Sequence, residues 1–140
     1  MAVEHTKLHH YLVSVGSNIE PRKHLAECET ILAAETQLLG IADYIDTEPD
    51  GFKDQPWFVN GAYYIASPLA HDDFKAYLKA VEERLGRVKG PIKSGPRTMD
   101  LDIITVDGHV VHNDYYHKSY VTIPVDQLIG QFALTLNAAG

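Results

Sequence analysis

The sequence predicts an α+β fold in which helices pack on a mostly antiparallel sheet, and three observations carry that expectation. Segments of strand-like alternation and helix-like spacing follow one another in the order strand, helix, strand, strand, helix, strand. Phe74, Leu78, Val81 and Leu85 recur at spacings of four, three and four, which draws an apolar stripe down one side of a helix. Asp107-Gly108 stands between two β-rich runs, a strong signal for a two-residue hairpin. That element order is the split motif of ferredoxin-like folds.

Taken in turn, residues 11–16 alternate around Val13 and Val15 and read as the first strand. Gly16-Ser17-Asn18 then turns the chain, and Pro21 suits a first helical turn. Leu25, Cys28 and Leu32 mark one face of a helix running to about Thr36 and ending before Gly40. Residues 41–47 and 57–66 read as strands, separated by a turn-rich stretch containing Pro49, Gly51 and Pro56. The Phe74 helix stops at Gly86. Residues 87–96 lose all periodicity and gather Lys89, Lys93 and two glycines, the composition of a mobile basic loop. The last long strand spans 99–106, followed by the hairpin and by Val110 and Val111; after Tyr120 a short, weakly periodic tail is expected.

A chain of 140 residues with 45% hydrophobic content is expected to fold as one domain, residues 1–140, without disulfide or metal staples. The single cysteine, Cys28, lies at helical spacing from Leu25 and Leu32 and reads as a small buried hydrophobe rather than a nucleophile. The polar first ten residues and the lack of any long apolar run point to a soluble, cytoplasmic protein without membrane association. A formal charge of −7 disfavours nucleic acid as a partner, since sequence-independent phosphate binding needs a basic surface. The oligomeric state is not written in the sequence.

The chemistry concentrates around Asp100-Leu101-Asp102. On a strand, alternate side chains share a face, so the two carboxylates point the same way while Leu101 and Ile103 point into the core. Two such charges raise each other's pKa unless a cation lies between them, and oxygen-only ligands suit Mg²⁺. Gly95-Pro96-Arg97 delivers a guanidinium beside the pair, with Arg87, Lys89 and Lys93 on the preceding loop. Carboxylates and cations together read as a polyphosphate-transfer site. From spacing alone, a salt bridge at a sheet end beside a solvated loop serves equally well. Phe58 and Asn60 alternate onto one face of their strand, an aromatic plate beside an amide that suits a flat heterocycle, although a core Phe and a structural Asn is the simpler reading. Gly16-Ser17-Asn18 reads first as a turn and cap rather than an anion site. His109, His112 and His117 match no zinc spacing and read as surface residues.

Four blocks, read together, carry a family resemblance: Val15-Gly16-Ser17-Asn18; Asp54-Gln55-Pro56 with Phe58 and Asn60; Leu85-Gly86-Arg87-Val88; and Gly95-Pro96-Arg97-Thr98-Met99-Asp100-Leu101-Asp102. In this order, from about Tyr11 to Pro124, the chain resembles hydroxymethyldihydropterin pyrophosphokinase. The resemblance implies a ferredoxin-like fold and transfer of diphosphate from ATP to the hydroxymethyl group of hydroxymethyldihydropterin, with release of AMP, in folate synthesis. It implies two Mg²⁺ ions on Asp100 and Asp102, with Arg87 and Arg97 gripping the phosphates and Lys89 assisting. It places Glu82, Ile103 and Thr122 against the nucleotide and Thr47, Phe58 and Asn60 in the pterin pocket, with Phe132 as the opposing ring.

The chain also departs from that pattern. Ser94 stands where the family usually has a tryptophan that caps the pterin, Glu48 where proline is usual, and Asp50 where the pocket is usually apolar. Val125 and Asp126 follow Pro124 in place of a histidine and phosphate-holding residues, a loss for which Lys118 could compensate. Two further readings therefore stand beside the enzyme: a divergent paralogue that binds pterin or nucleotide without transfer, and a ferredoxin-like ligand-sensing or interaction module.

Overall fold

The computed structural model describes residues 7–88 and 95–137. Its centre is β1 (His9–Ser17), which pairs antiparallel on one side with β4 (Phe58–Ser67) and on the other with β5 (Asp100–Val106). β4 carries two short partners in line along its outer edge, β2 (Gln37–Ile41) and β3 (Ile45–Thr47). β6 (His109–Val110) completes the sheet beside β5. Every pairing is antiparallel and the strand order is β2-β4-β1-β5-β6, with β3 also on β4. The expected α+β, ferredoxin-like architecture is the one observed. Asp107 and Gly108 both have positive φ, 49° and 85°, as a tight hairpin of primed type requires.

Two helices cover one face of the sheet. α1 (Pro21–Glu35) opens on Pro21 and turns Leu25, Cys28 and Leu32 inward; α2 (His71–Arg84) buries Phe74, Leu78 and Val81. They close over Tyr11, Val13, Val15, Tyr63, Ile65, Leu101 and Ile103. Cys28 is fully buried there and its thiol pKa is pushed up to about 12, first by burial, so it acts as the small hydrophobe its spacing implied.

The opposite face is covered by a helix that the sequence reading missed. The residues after Tyr120, expected to be a weakly periodic tail, form α4 (Ser119–Gln131), preceded by one turn, α3 (Asp114–His117). Val121, Val125 and Leu128 do recur at spacings of four and three. However, β-branched residues and an internal Pro124 lower local helix propensity, the proline alone by about 3 kcal/mol. Packing of Val121, Val125 and Leu128 against Leu12, Ala62 and Ile104 outweighs that penalty. Leu128 is fully buried. Leu128→Ala should therefore lower the unfolding free energy by about 3 kcal/mol, read as a shifted urea midpoint at unchanged slope.

A second correction concerns the strand expected over 41–47. It begins earlier, at Gln37 directly after the Thr36 cap, and it breaks after Ile41 before resuming at Ile45. Gly40 lies inside β2, its backbone overlaid by the Phe132 ring. A Cβ at residue 40 would sit 2.4 Å from that ring, so glycine here serves packing and does not end the helix. The basic segment expected at 87–96 includes residues 89–94, so Lys89, Lys93 and Ser94 lie outside the described residues. No helix among the described residues is long and apolar enough to cross a membrane.

Candidate active site

α4 covers only part of its face of the sheet, and the sheet register lays out what remains. Gly16 on β1 is level with Asn60 on β4 and Asp100 on β5; Ser14 is level with Ala62 and Asp102. Farther along, Leu12 is level with Tyr64 and Thr105, and there α4 takes over. Side chains in the two uncovered rows thus face a cleft of about 660 Å³, closed laterally by Thr47, Glu48, Asp50, Phe58, Lys79, Arg87, Arg97, His112, Asp114 and Tyr120.

At one end Asp100 and Asp102 stand two residues apart on β5. Asp100 accepts from Arg87 at 2.8 Å on Oδ1 and from Arg97 at 3.3 Å on Oδ2. Lys79 Nζ lies 3.5 Å from Asp102 Oδ1. The same ammonium donates to Glu82 Oε2 at 3.0 Å and to the Leu101 carbonyl at 2.9 Å, and Glu82 also accepts the Leu101 N–H at 2.6 Å. Burial, then the charge of Asp100, raises the Asp102 carboxyl above its ordinary pKa, partly offset by Lys79. Burial alone would lower Arg87, but its hydrogen bond to Asp100 together with the charges of Asp100, Glu82 and Asp102 outweighs this and raises it, so the guanidinium is firmly charged.

At the other end Phe58 and Asn60 form a plate and an amide. Asn60 is almost fully buried and its Nδ2 donates to the Thr47 hydroxyl, which aims the amide into the cleft. Arg97 spans the two ends, its guanidinium carbon 5.9 Å from the Phe58 ring centre while it also holds Asp100.

The Gly16-Ser17-Asn18 turn is the bracket that holds these parts together. Asn18 donates to Gln55 Oε1 and the Pro56 carbonyl, both at 2.9 Å, and its Oδ1 accepts the Arg97 N–H at 2.8 Å. Its own N–H donates to the Arg97 carbonyl at 3.1 Å. One buried amide thereby pins the loop before β4 and the segment before β5 to the end of β1.

Of the residues singled out in the sequence, the structure brings Arg87, Arg97, Asp100, Asp102, Thr47, Phe58 and Asn60 together in this cleft. Four others do not line it. Glu82 is buried beneath, bonded to Lys79 and the Leu101 N–H. The Ile103 side chain lies in the core under α1 and α2. The Thr122 hydroxyl donates back to the Tyr115 and Lys118 carbonyls. Phe132 packs on Tyr64 with ring centres 5.1 Å apart and over Gly40, because the missing side chain there leaves room for it. Lys118 pairs with Asp50 at 2.5 Å, where Tyr120 also contacts the same oxygen at 3.4 Å, so it neutralises the altered wall residue. That bond holds the Asp50 carboxyl below its usual pKa.

Sequence reading missed Lys79, Ser14 and His112 as parts of the site. Lys79 was legible in principle, since it stands three residues before Glu82 on one helix face. His112 was read as a surface residue because only the hairpin return brings it over Asp102.

The cleft fits a hard divalent cation. Its lining carries carboxylates on Glu48, Asp50, Asp100, Asp102 and Asp114 against Lys79, Arg87 and Arg97, and with Asp50 paired to Lys118 the carboxylates still outnumber the cations, an excess that a dication would offset. Among the described residues no group of three or more His, Cys, Asp or Glu is placed to hold a metal unaided. Mg²⁺ does not require one, since it is usually held by one or two carboxylates together with substrate phosphates.

A family model described as 7,8-dihydro-6-hydroxymethylpterin-pyrophosphokinase matches residues 12–130. The chain is 38% identical over 95 residues to a 2-amino-4-hydroxy-6-hydroxymethyldihydropteridine pyrophosphokinase of Pseudomonas aeruginosa, over 66% of this chain and 58% of that protein. It is 28% identical over 130 residues to the Bacillus subtilis protein of the same name, over 85% of this chain and 77% of the relative. It is 32% identical over 126 residues to the folic acid synthesis protein fol1 of Schizosaccharomyces pombe, over 86% of this chain but 16% of that much longer protein.

Proposed function

The chain belongs to the 7,8-dihydro-6-hydroxymethylpterin-pyrophosphokinase family, and from that premise we propose that it moves the terminal diphosphate of ATP onto the hydroxymethyl group of hydroxymethyldihydropterin. The observation that supports this most is the pairing, in one cleft, of two strand carboxylates flanked by two guanidiniums with the Phe58, Asn60 and Thr47 pocket. In the reaction the acceptor hydroxyl attacks the β-phosphorus, a new P–O bond forms, the bond to the α-phosphate oxygen breaks, and AMP leaves. The hydroxyl proton passes to solvent.

Asp100 and Asp102 would hold Mg²⁺, which supplies neutralisation of the transferring diphosphate when bound. Arg87 and Arg97, which flank Asp100, would grip the phosphates, Arg97 from its place beside the Phe58 ring. Phe58 stacks the heterocycle, and Asn60, aimed by Thr47, reads its polar edge. The acceleration comes from alignment and charge, since holding reactants in line lowers a barrier by roughly 7–11 kcal/mol and no side chain has to act as a base. Glu82, Ile103, Thr122 and Phe132 would bear on the reaction from outside the lining, Glu82 by fixing Lys79 beside Asp102.

Incubating the protein with Mg·ATP and hydroxymethyldihydropterin tests the reading. AMP is expected to appear only when the nucleotide, the metal and the pterin are all present. Tight pterin or nucleotide binding without AMP would overturn the transfer and leave a binding protein.

A further inference from the structure

We propose that His112 meets the polyphosphate of the nucleotide beside Asp102, donating its Nε2–H to a phosphate oxygen. The inference rests on the transfer reading above and adds a contact on the wall that faces Asp102.

The return of the β5–β6 hairpin delivers this side chain. The Val111 N–H donates to the Ile104 carbonyl at 2.9 Å, so the segment runs back along β5 towards Asp102 and leaves His112 lining the cleft. There the ring is held by one edge. Its Nδ1 accepts the Asp114 N–H at 3.1 Å. The Asp114 carboxylate lies 3.8 Å from the same nitrogen, beyond hydrogen-bond reach. A ring nitrogen that accepts an N–H carries no proton, so the neutral imidazole has its hydrogen on Nε2. Among the described residues, Nε2 has no hydrogen-bond partner.

This tautomer decides what the ring can do. A metal-bound nitrogen needs a free lone pair, and the one on Nδ1 is already taken by the Asp114 N–H. His112 is thus unsuited to be a third ligand beside Asp100 and Asp102, and among the described residues no group of three His, Cys, Asp or Glu could hold an ion. What it offers is a neutral donor on a wall otherwise rich in carboxylates. Arg87 and Arg97 stand at Asp100, whereas His112 comes in over Asp102, so the polyphosphate is met from a second side. The side chain is 37% exposed, which leaves Nε2–H hydrated until a ligand arrives. A charged phosphate oxygen is a better acceptor than the water it displaces.

The test uses the whole chain at about pH 8, where an ordinary imidazole is neutral. Calorimetric titration follows binding of Mg²⁺ with an ATP analogue carrying a methylene group between the α and β phosphorus atoms. His112→Asn puts an amide oxygen near the place of Nδ1 and keeps the bond to the Asp114 N–H as an Asx turn, but has no donor at the Nε2 position. It should melt as the native protein does and bind the analogue about tenfold more weakly, with pterin binding unchanged. His112→Gln gives up the turn bond and carries an amide N–H near the Nε2 position, so it should bind the analogue within about threefold of native even where it melts earlier. Native affinity in the Asn variant would overturn the contact. A Gln variant as weak as the Asn variant would overturn it too, since the loss then belongs to the turn. Imidazole ¹⁵N NMR, with His112 assigned from the variants, should show the Nε2–H tautomer in the free protein and a shifted Nε2 signal on adding the analogue; an Nδ1–H tautomer would refute the proposal while the transfer reading stands. If the native chain does not bind the analogue with Mg²⁺ at all, the transfer reading falls and this inference with it.

Discussion

Replacing Asp102 with alanine is expected to lower kcat by about 10³-fold while the protein stays folded. The side chain is 38% exposed, lines the cleft and contributes nothing to either core, so truncation removes chemistry and not packing. Its pH signature separates the two outcomes. In the metal-free protein burial and Asp100 hold the Asp102 pKa above its unfolded value. The folded state then binds the extra proton between those two values, and stability falls as pH rises through that window. Asp102→Ala loses this part of the slope and should gain slightly in thermal midpoint near neutrality, with no gain at acid pH. A variant that keeps near-native turnover would remove Asp102 from the chemistry. A variant that unfolds would give it a structural role.

The second large effect is expected at Gly16→Ala. Gly16 stands between Asn60 and Asp100 in one row of the sheet, and a Cβ there would lie 2.5 Å from Asn60 Oδ1. That atom ends a side chain which can rotate away, so the fold survives. Rotation, however, breaks the bond from Asn60 to the Thr47 hydroxyl and turns the amide off the heterocycle. Loss of one buried polar match costs about 1–3 kcal/mol, up to about 10²-fold. The loss should fall on the KM for the pterin, with binding of the ATP analogue unchanged. An equal loss for nucleotide and pterin would mean that the row is not divided as described.

The parts of the fold that could be read from the chain were those where local pattern and tertiary role agree. The Phe74 to Leu85 stripe is helical by spacing and is helical because α2 buries that stripe. Asp107-Gly108 needs positive φ and has it. Where the two conflict, reading failed. α4 looks unlike a helix at Pro124 and is held by the sheet beneath it, and Gly40 looks like a terminator but makes room for Phe132. The carboxylate strand was visible because β alternation alone puts Asp100 and Asp102 on one face. Lys79 and His112 reach the site only through contacts between elements far apart in sequence, which no single segment reveals. The Asn18 bracket is hidden for the same reason, since its partners, Gln55, Pro56 and Arg97, lie far from it in sequence.

That α4 stops partway across its side of the sheet has an evolutionary meaning. Asp100 and Asp102 are carried by β5, laced to β1 and unable to change place without unravelling the middle of the molecule. The opposite wall is made by Asp50, Tyr120 and Lys118, which belong to a loop and to the start of a helix, where exchanges are well tolerated. On the proposed function, preference for a particular alcohol could therefore drift by rewriting that border while Asp100 and Asp102 stay in place.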